Sequence, residues 1–261
     1  MTEPDYEQID VLISRLIKTV DDSFKNEPQG NKETFFWGLY FSLLELSQES
    51  IRLISEKRYE LVAIACRNSV ELYMDVYNCL KYDDYIDRLL LTSFSKQIKL
   101  SEFIFKEKKE FDEKTLNRER DNIAYAKKQK ALLKKRGVTN IYGIAEKYKL
   151  SNLTQFPLMF WMIDMLNQEV HADLRLMMER YSIEDKIPRD FNKGYISPYR
   201  NSKTEITVNN YLNLFLAGIC ESTSVILKEK KLLYSNSIEV IINQLKDILS
   251  QAETEGSGNN A

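Results

Sequence analysis

Between Pro28 and Pro157 the sequence contains no proline, and its only glycines in that span are Gly30, Gly38, Gly137 and Gly143. Proline removes a helical N–H and clashes with the preceding turn, and glycine weakens a helix interior. A span this long with so little of either therefore predicts long, unbroken helices. The apolar spacing agrees. Ile9, Leu12, Ile13, Leu16, Ile17 and Val20 recur at steps of three and four, which predicts an amphipathic helix from about Pro4 to Phe24. Glu33 to Ser55 is apolar on more than one side, through Phe36, Trp37, Tyr40, Leu43, Leu44 and Ile51, as expected of a helix central to a bundle. Glu60 to Leu80 predicts a second central helix.

Beyond Tyr82 the character changes. Residues 85–136 keep a sparse apolar rhythm amid dense charge, and Lys96 to Arg136 holds 14 Lys/Arg against 7 Asp/Glu, although the whole chain has a net charge of −2. This pattern predicts a charged, protruding helical hairpin, or two long exposed helices. Gly137 is placed to end its second helix. A short helix is expected at Ile141 to Tyr148, and a long one follows Ser151-Asn152-Leu153-Thr154 through Trp161 and His171. The period is lost over 181–209, where Pro188, Gly194 and Pro198 mark a long irregular loop. Two further helices, Val208 to Lys231 and Ser235 to Gln251, precede a polar Gly/Ser/Asn-rich tail at 252–261 that is expected to be disordered. Without alternating strand patterns, the fold class is all-α: one multi-helix bundle domain over 1–251, with 85–136 as its charged excursion.

With 43% hydrophobic and 29% charged residues, the chain can bury a full core beneath a solvated surface. No apolar run approaches the roughly 18 residues that span a bilayer, and the acidic start is unlike a signal peptide, so a cytoplasmic protein without membrane contact is expected. Cys66, Cys79 and Cys220 lack metal-ligand or disulfide spacing. Neither a Gly-rich phosphate loop, nor Gly-x-Ser-x-Gly, nor His-Glu-x-x-His occurs, so no cofactor and no metal are expected.

Two places remain for chemistry. Arg67 and Glu71 stand four residues apart in the apolar run around Leu61 to Cys66, a spacing at which guanidinium and carboxylate pair. His171 is the only histidine, on a stripe with Asp164, Asn167 or Gln168, and Arg175. Both have structural readings: a buried ion pair, and a packed imidazole with a satisfied hydrogen bond. If the two helices are neighbours, they build a polar pocket for an anionic ligand, with His171 as general acid or base and Arg67 stabilising developing charge. Separately, Lys127, Lys128, Lys130, Lys134, Lys135 and Arg136 run without an intervening acid, which marks either a solvated helix end or a nucleic-acid contact.

Ala65-Cys66-Arg67-Asn68-Ser69-Val70-Glu71-Leu72-Tyr73 together with Met165-Leu166-Asn167-Gln168-Glu169-Val170-His171-Ala172-Asp173 resembles a bacterial all-helical family of unknown function, in which an Arg-x-x-x-Glu helix is followed by a later Val-His helix. The resemblance carries over to Arg67, Glu71, Asn167 and His171, with Asn167 standing where a serine is expected. That family is similar in character to the HEPN superfamily of helical ribonucleases from phage-defence and toxin–antitoxin systems. The present chain departs from it, because Leu72 or Tyr73 stands where the Arg-x4-6-His motif would place its histidine. The resemblance implies a metal-independent endoribonuclease acting on RNA or a nucleotide. The alternative is a non-catalytic interaction protein whose Arg/Glu/His cluster is structural, binding a cognate partner or a second copy through the 85–136 excursion or the Gly194–Arg200 loop.

Overall fold

The computed structural model describes residues 5–23, 31–56, 58–141, 143–151, 203–230 and 232–257. Among these are eight α-helices and one short 3-10 turn, with no strand, so the chain is an all-α multi-helix bundle as its sequence predicts. The helices are α1 (Tyr6–Asp22), α2 (Asn31–Ser55), α3 (Tyr59–Lys81), α4 (Tyr85–Lys106), α5 (Glu113–Lys135), α6 (Ile144–Leu150), α7 (Lys203–Glu229) and α8 (Ser235–Ser257). None of the described helices is long and apolar enough to cross a membrane. The chain divides into two compact units, residues 1–77 with 153–261, and residues 78–152.

In the first unit α1 packs on α2, α2 on α7, α7 on α8 and α8 on α1, closing a four-helix ring. Asp5 caps α1 by accepting the Gln8 N–H at 2.9 Å, and of the apolar stripe read from the sequence Ile9, Leu12, Ile13, Leu16 and Val20 are buried and Ile17 half-buried. α2 contributes Tyr40, Leu43, Leu44 and Ile51, α7 Phe215, Leu216 and Ile219, and α8 Ile238, Ile241 and Leu245. Each such side chain is worth roughly 1.5–3 kcal/mol when fully buried. The core also contains a polar tie. The Tyr40 hydroxyl lies 2.6 Å from Thr223 Oγ1, whose own proton goes to the Ile219 carbonyl at 2.7 Å, so the phenol is the donor between them. Burial raises the Tyr40 pKa well above that of an ordinary phenol and keeps that donor protonated.

The second unit is organised by α4 and α5, which pair as the expected charged hairpin across a short turn at Lys108–Glu110. Asp112 opens α5 by accepting the Thr115 N–H at 2.6 Å. Gly137 closes it with φ +78°: its own N–H reaches the Lys134 carbonyl and that of Val138 the Leu133 carbonyl, a Schellman ending. Asn78 and Tyr82 donate to the Lys147 and Leu150 carbonyls at 3.0 Å, tying α6 to the last turn of α3 and the residue beyond it.

Three expected boundaries are corrected, the first being α6, which spans Ile144–Leu150 and not Ile141 to Tyr148. α7 begins at Lys203 instead of near Val208, so residues 203–209, expected to belong to the irregular stretch, are helical. α8 continues to Ser257, beyond Gln251, because Gln251, Ala252, Glu253 and Glu255 are helix formers that extend its last turns into the expected tail. The helix expected through Trp161 and His171, and residues 181–202 of the loop, lie outside the described residues.

Candidate functional site

α3 forms from a run with no glycine or proline, and buries Val62, Ala65, Cys66, Val70, Tyr73 and Met74 along one side. Arg67 and Glu71 project away from that stripe. Their Nη2 and Oε1 atoms are 3.2 Å apart, and each side chain is 29% exposed. The pair is therefore formed as the i, i+4 spacing requires, but it sits at a half-buried edge instead of deep in the bundle. Such helix pairs contribute only about 0.3–0.5 kcal/mol, so stability alone is a weak reason for charges on this helix. The stripe continues to Asp75, which is buried. Asn167 and His171, the other two members expected of the site, lie outside the described residues.

The basic run belongs to the second unit. Lys127, Lys128, Lys134 and Lys135 are exposed along α5, Lys130 is half-buried, and Arg136 is the exposed C-cap residue. Two of the six already face carboxylates: Lys127 Nζ lies 3.7 Å from Glu102 and Arg136 Nη2 3.4 Å from Asp87. The Asp87 contact matters more, because that carboxylate is buried and needs a counter-charge. Tyr125, exposed beside the run, meets Phe94 edge-on at 6.0 Å between ring centroids. Among the described residues no group of His, Cys, Asp and Glu is arranged to hold a metal ion. Cys66, Cys79 and Cys220 form no disulfide, and burial pushes the Cys220 thiol up to about 12.

A feature not anticipated from the sequence lies on the other side of α3. A cavity of about 210 Å³ opens between α2, α3 and α7, with apolar walls that include Leu43, Val70 and Phe215. Ser47, Ser69 and Tyr73 also line it, all at most 4% exposed; the Ser47 and Ser69 hydroxyls have no hydrogen-bond partner among the described residues, while the Tyr73 hydroxyl faces the Glu221 carboxylate. Burial, then the charge of Glu221 and the hydrogen bond to it, raise the Tyr73 pKa well above the ordinary phenol range, so this hydroxyl stays protonated. The sequence carried a partial signal: Ser69 and Tyr73 are i, i+4 on α3, but nothing in it joins them to Ser47 or Glu221.

A family model described as a family of unknown function, DUF5677, matches residues 33–188. The chain belongs to DUF5677. No curated protein and no solved structure matches it. The DUF5677 span takes in nearly all of α2, then α3 to α6, and continues past Asn167 and His171, so it contains all four residues expected of the polar site. It leaves out α1, α7 and α8, and with them the α7 wall of the cavity.

Proposed function

We propose that Arg67, Glu71, Asn167 and His171 act together on an RNA phosphodiester, making this DUF5677 protein a metal-independent, HEPN-like endoribonuclease of the cytoplasm, serving phage defence or a toxin–antitoxin pair. The observation that carries this reading is the Arg67–Glu71 pair, a guanidinium held at 3.2 Å by its carboxylate yet 29% exposed to an approaching anion. A cation positioned in advance is what a developing phosphoryl charge requires. His171 takes the proton of the ribose 2′-hydroxyl, whose oxygen bonds to phosphorus as the P–O5′ bond breaks. The imidazolium returns that proton to the departing 5′ oxygen, leaving a 2′,3′-cyclic phosphate and a 5′-hydroxyl. Asn167 donates its amide N–H to a non-bridging oxygen, Glu71 orients Arg67, and Lys127, Lys128, Lys130, Lys134, Lys135 and Arg136 draw the RNA backbone to the protein.

Single variants test the reading. Arg67→Ala and His171→Ala are expected to lower cleavage by about 10²–10⁴-fold, with Glu71→Gln intermediate and melting temperatures little changed. Variants that melt early while the residual folded protein cleaves normally make the cluster architectural. The exposed Leu100, Phe103 and Leu132 on α4 and α5 favour a second reading, in which the hairpin binds a cognate protein or another copy of the chain without catalysis. Full cleavage-independent function in His171→Ala, lost on changing Phe103 to Glu, would support it.

A further inference from the structure

Ser69 stands two residues from Arg67, about 200° around the helix, so α3 carries polar pairs on nearly opposite sides. The Arg67–Glu71 side has its charges paired. The Ser69–Tyr73 side faces the 210 Å³ cavity, where the hydroxyls of Ser69 and of Ser47 from α2 find no hydrogen-bond partner among the described residues and that of Tyr73 faces Glu221. A buried hydroxyl without a partner costs roughly 1–3 kcal/mol, and two beside one cavity are a persistent cost that a bound molecule would remove.

The size and chemistry of the cavity limit that molecule. An apolar cavity of about 150 Å³ accommodates benzene, and on the same scale this one takes about eight or nine non-hydrogen atoms. Its polar groups are few and the rest of its walls apolar, so they could anchor a water or two but not the several that would fill it, and most of the volume suits an apolar body. The only charge among the described lining residues is the Glu221 carboxylate, itself exposed at the rim and close enough to act on the Tyr73 hydroxyl. An anionic ligand would be repelled there, and a cationic head group held.

We propose that the cavity between α2, α3 and α7 is a binding site for a small primary amine with an apolar body, such as an arylalkylamine. The ammonium sits at Glu221 and Tyr73, and the body packs against Leu43, Val70 and Phe215. Ser47 and Ser69 supply hydrogen bonds to any polar substituent on that body. This site is independent of the ribonuclease reading, since it shares no side chain with Arg67, Glu71, Asn167 or His171.

Gly218 provides the test. It lines the cavity, and a Cβ built on it meets nothing within 4 Å, so a larger side chain there enters the cavity without a clash at its base. Titration of the full chain by calorimetry should show phenethylamine binding at least about tenfold more tightly than phenylacetate, which presents a carboxylate to Glu221. Glu221→Gln is expected to weaken phenethylamine about tenfold, to the level of uncharged 2-phenylethanol, with 2-phenylethanol changing less than about twofold. Gly218→Leu should abolish binding of both while the melting temperature holds or rises. Should that variant not fold, Gly218→Ala, which inserts one methyl group and favours the helix, is expected to weaken phenethylamine severalfold. Absence of phenethylamine binding at millimolar concentration, equal binding of phenylacetate, or affinity unchanged in the cavity-filling variants overturns the proposal.

Discussion

Replacing Ser69 with alanine should make this protein more stable, although the change deletes a polar group from its interior. Ser69 is 4% exposed and its hydroxyl has no partner among the described residues, so the folded state bears a desolvation cost that the unfolded chain does not. That cost is about 1–3 kcal/mol for a sealed site, and the low end applies here because the group borders a cavity and not packed hydrocarbon. Alanine also exceeds serine in helix propensity by up to about 0.5 kcal/mol, and Ser69 is mid-helix in α3. The expected gain is about 1–1.5 kcal/mol, or a rise of about 2–5 °C in Tm for a chain of this size. Ser50 is the internal control. It is just as buried, but its hydroxyl donates to the Leu46 carbonyl at 2.6 Å, so Ser50→Ala forfeits a made bond and should be neutral or destabilising. Urea denaturation followed by circular dichroism reads both as shifts in midpoint at unchanged slope. If Ser69→Ala loses stability as Ser50→Ala does, the hydroxyl is satisfied in the native state and the reasoning from unpaired hydroxyls fails.

Three further outcomes follow from the same geometry. Tyr40→Phe should cost about 1 kcal/mol and Thr223→Val, which leaves the buried phenol without its acceptor, about 2, whereas the double variant should cost clearly less than their sum. Additive losses in that cycle would mean the two hydroxyls do not depend on each other. The Thr115 N–H holds the Asp112 carboxyl below the ordinary aspartate range, so its contribution to α5 is complete at neutral pH and disappears as pH falls through that lowered value. Hydrogen exchange of the first α5 amides should show this acid loss in the wild type and not in Asp112→Ala. Exchanging Lys127, Lys128, Lys134 and Lys135 for glutamine should flatten the salt dependence of RNA affinity by up to about one unit of slope for each phosphate no longer neutralised, and an unchanged slope removes α5 from the RNA surface.

Much of the fold was legible because the elements that build it repeat their apolar residues at helical spacing. The α1 stripe and the double-sided apolar character of α2 both read directly into burial, and Gly137 into a helix ending. The boundaries that differ lie where that signal is thin. Lys203 to Val208 offers only Ile206 and Val208 as apolar residues, and the last turns of α8 are helix formers followed by Gly256 and Ser257, so composition suggested a tail where local propensity continues the helix. The Arg67–Glu71 contact was legible for a local reason, since i, i+4 neighbours meet in any helix. The cavity was not. Its polar lining joins Ser47, Ser69, Tyr73 and Glu221 from three helices, and whether a hydroxyl lacks a partner depends on packing that no spacing encodes.

The functional proposal meets its most direct test in the chemistry of the RNA ends. A purified preparation incubated with a defined RNA in the presence of EDTA should release fragments bearing 2′,3′-cyclic phosphates and 5′-hydroxyls, and the His171→Ala protein, prepared identically and melting at the same temperature, should release none. Intact RNA under these conditions, cleavage that stops on chelation, or the same products from both proteins would contradict an imidazole acting beside the Arg67 guanidinium.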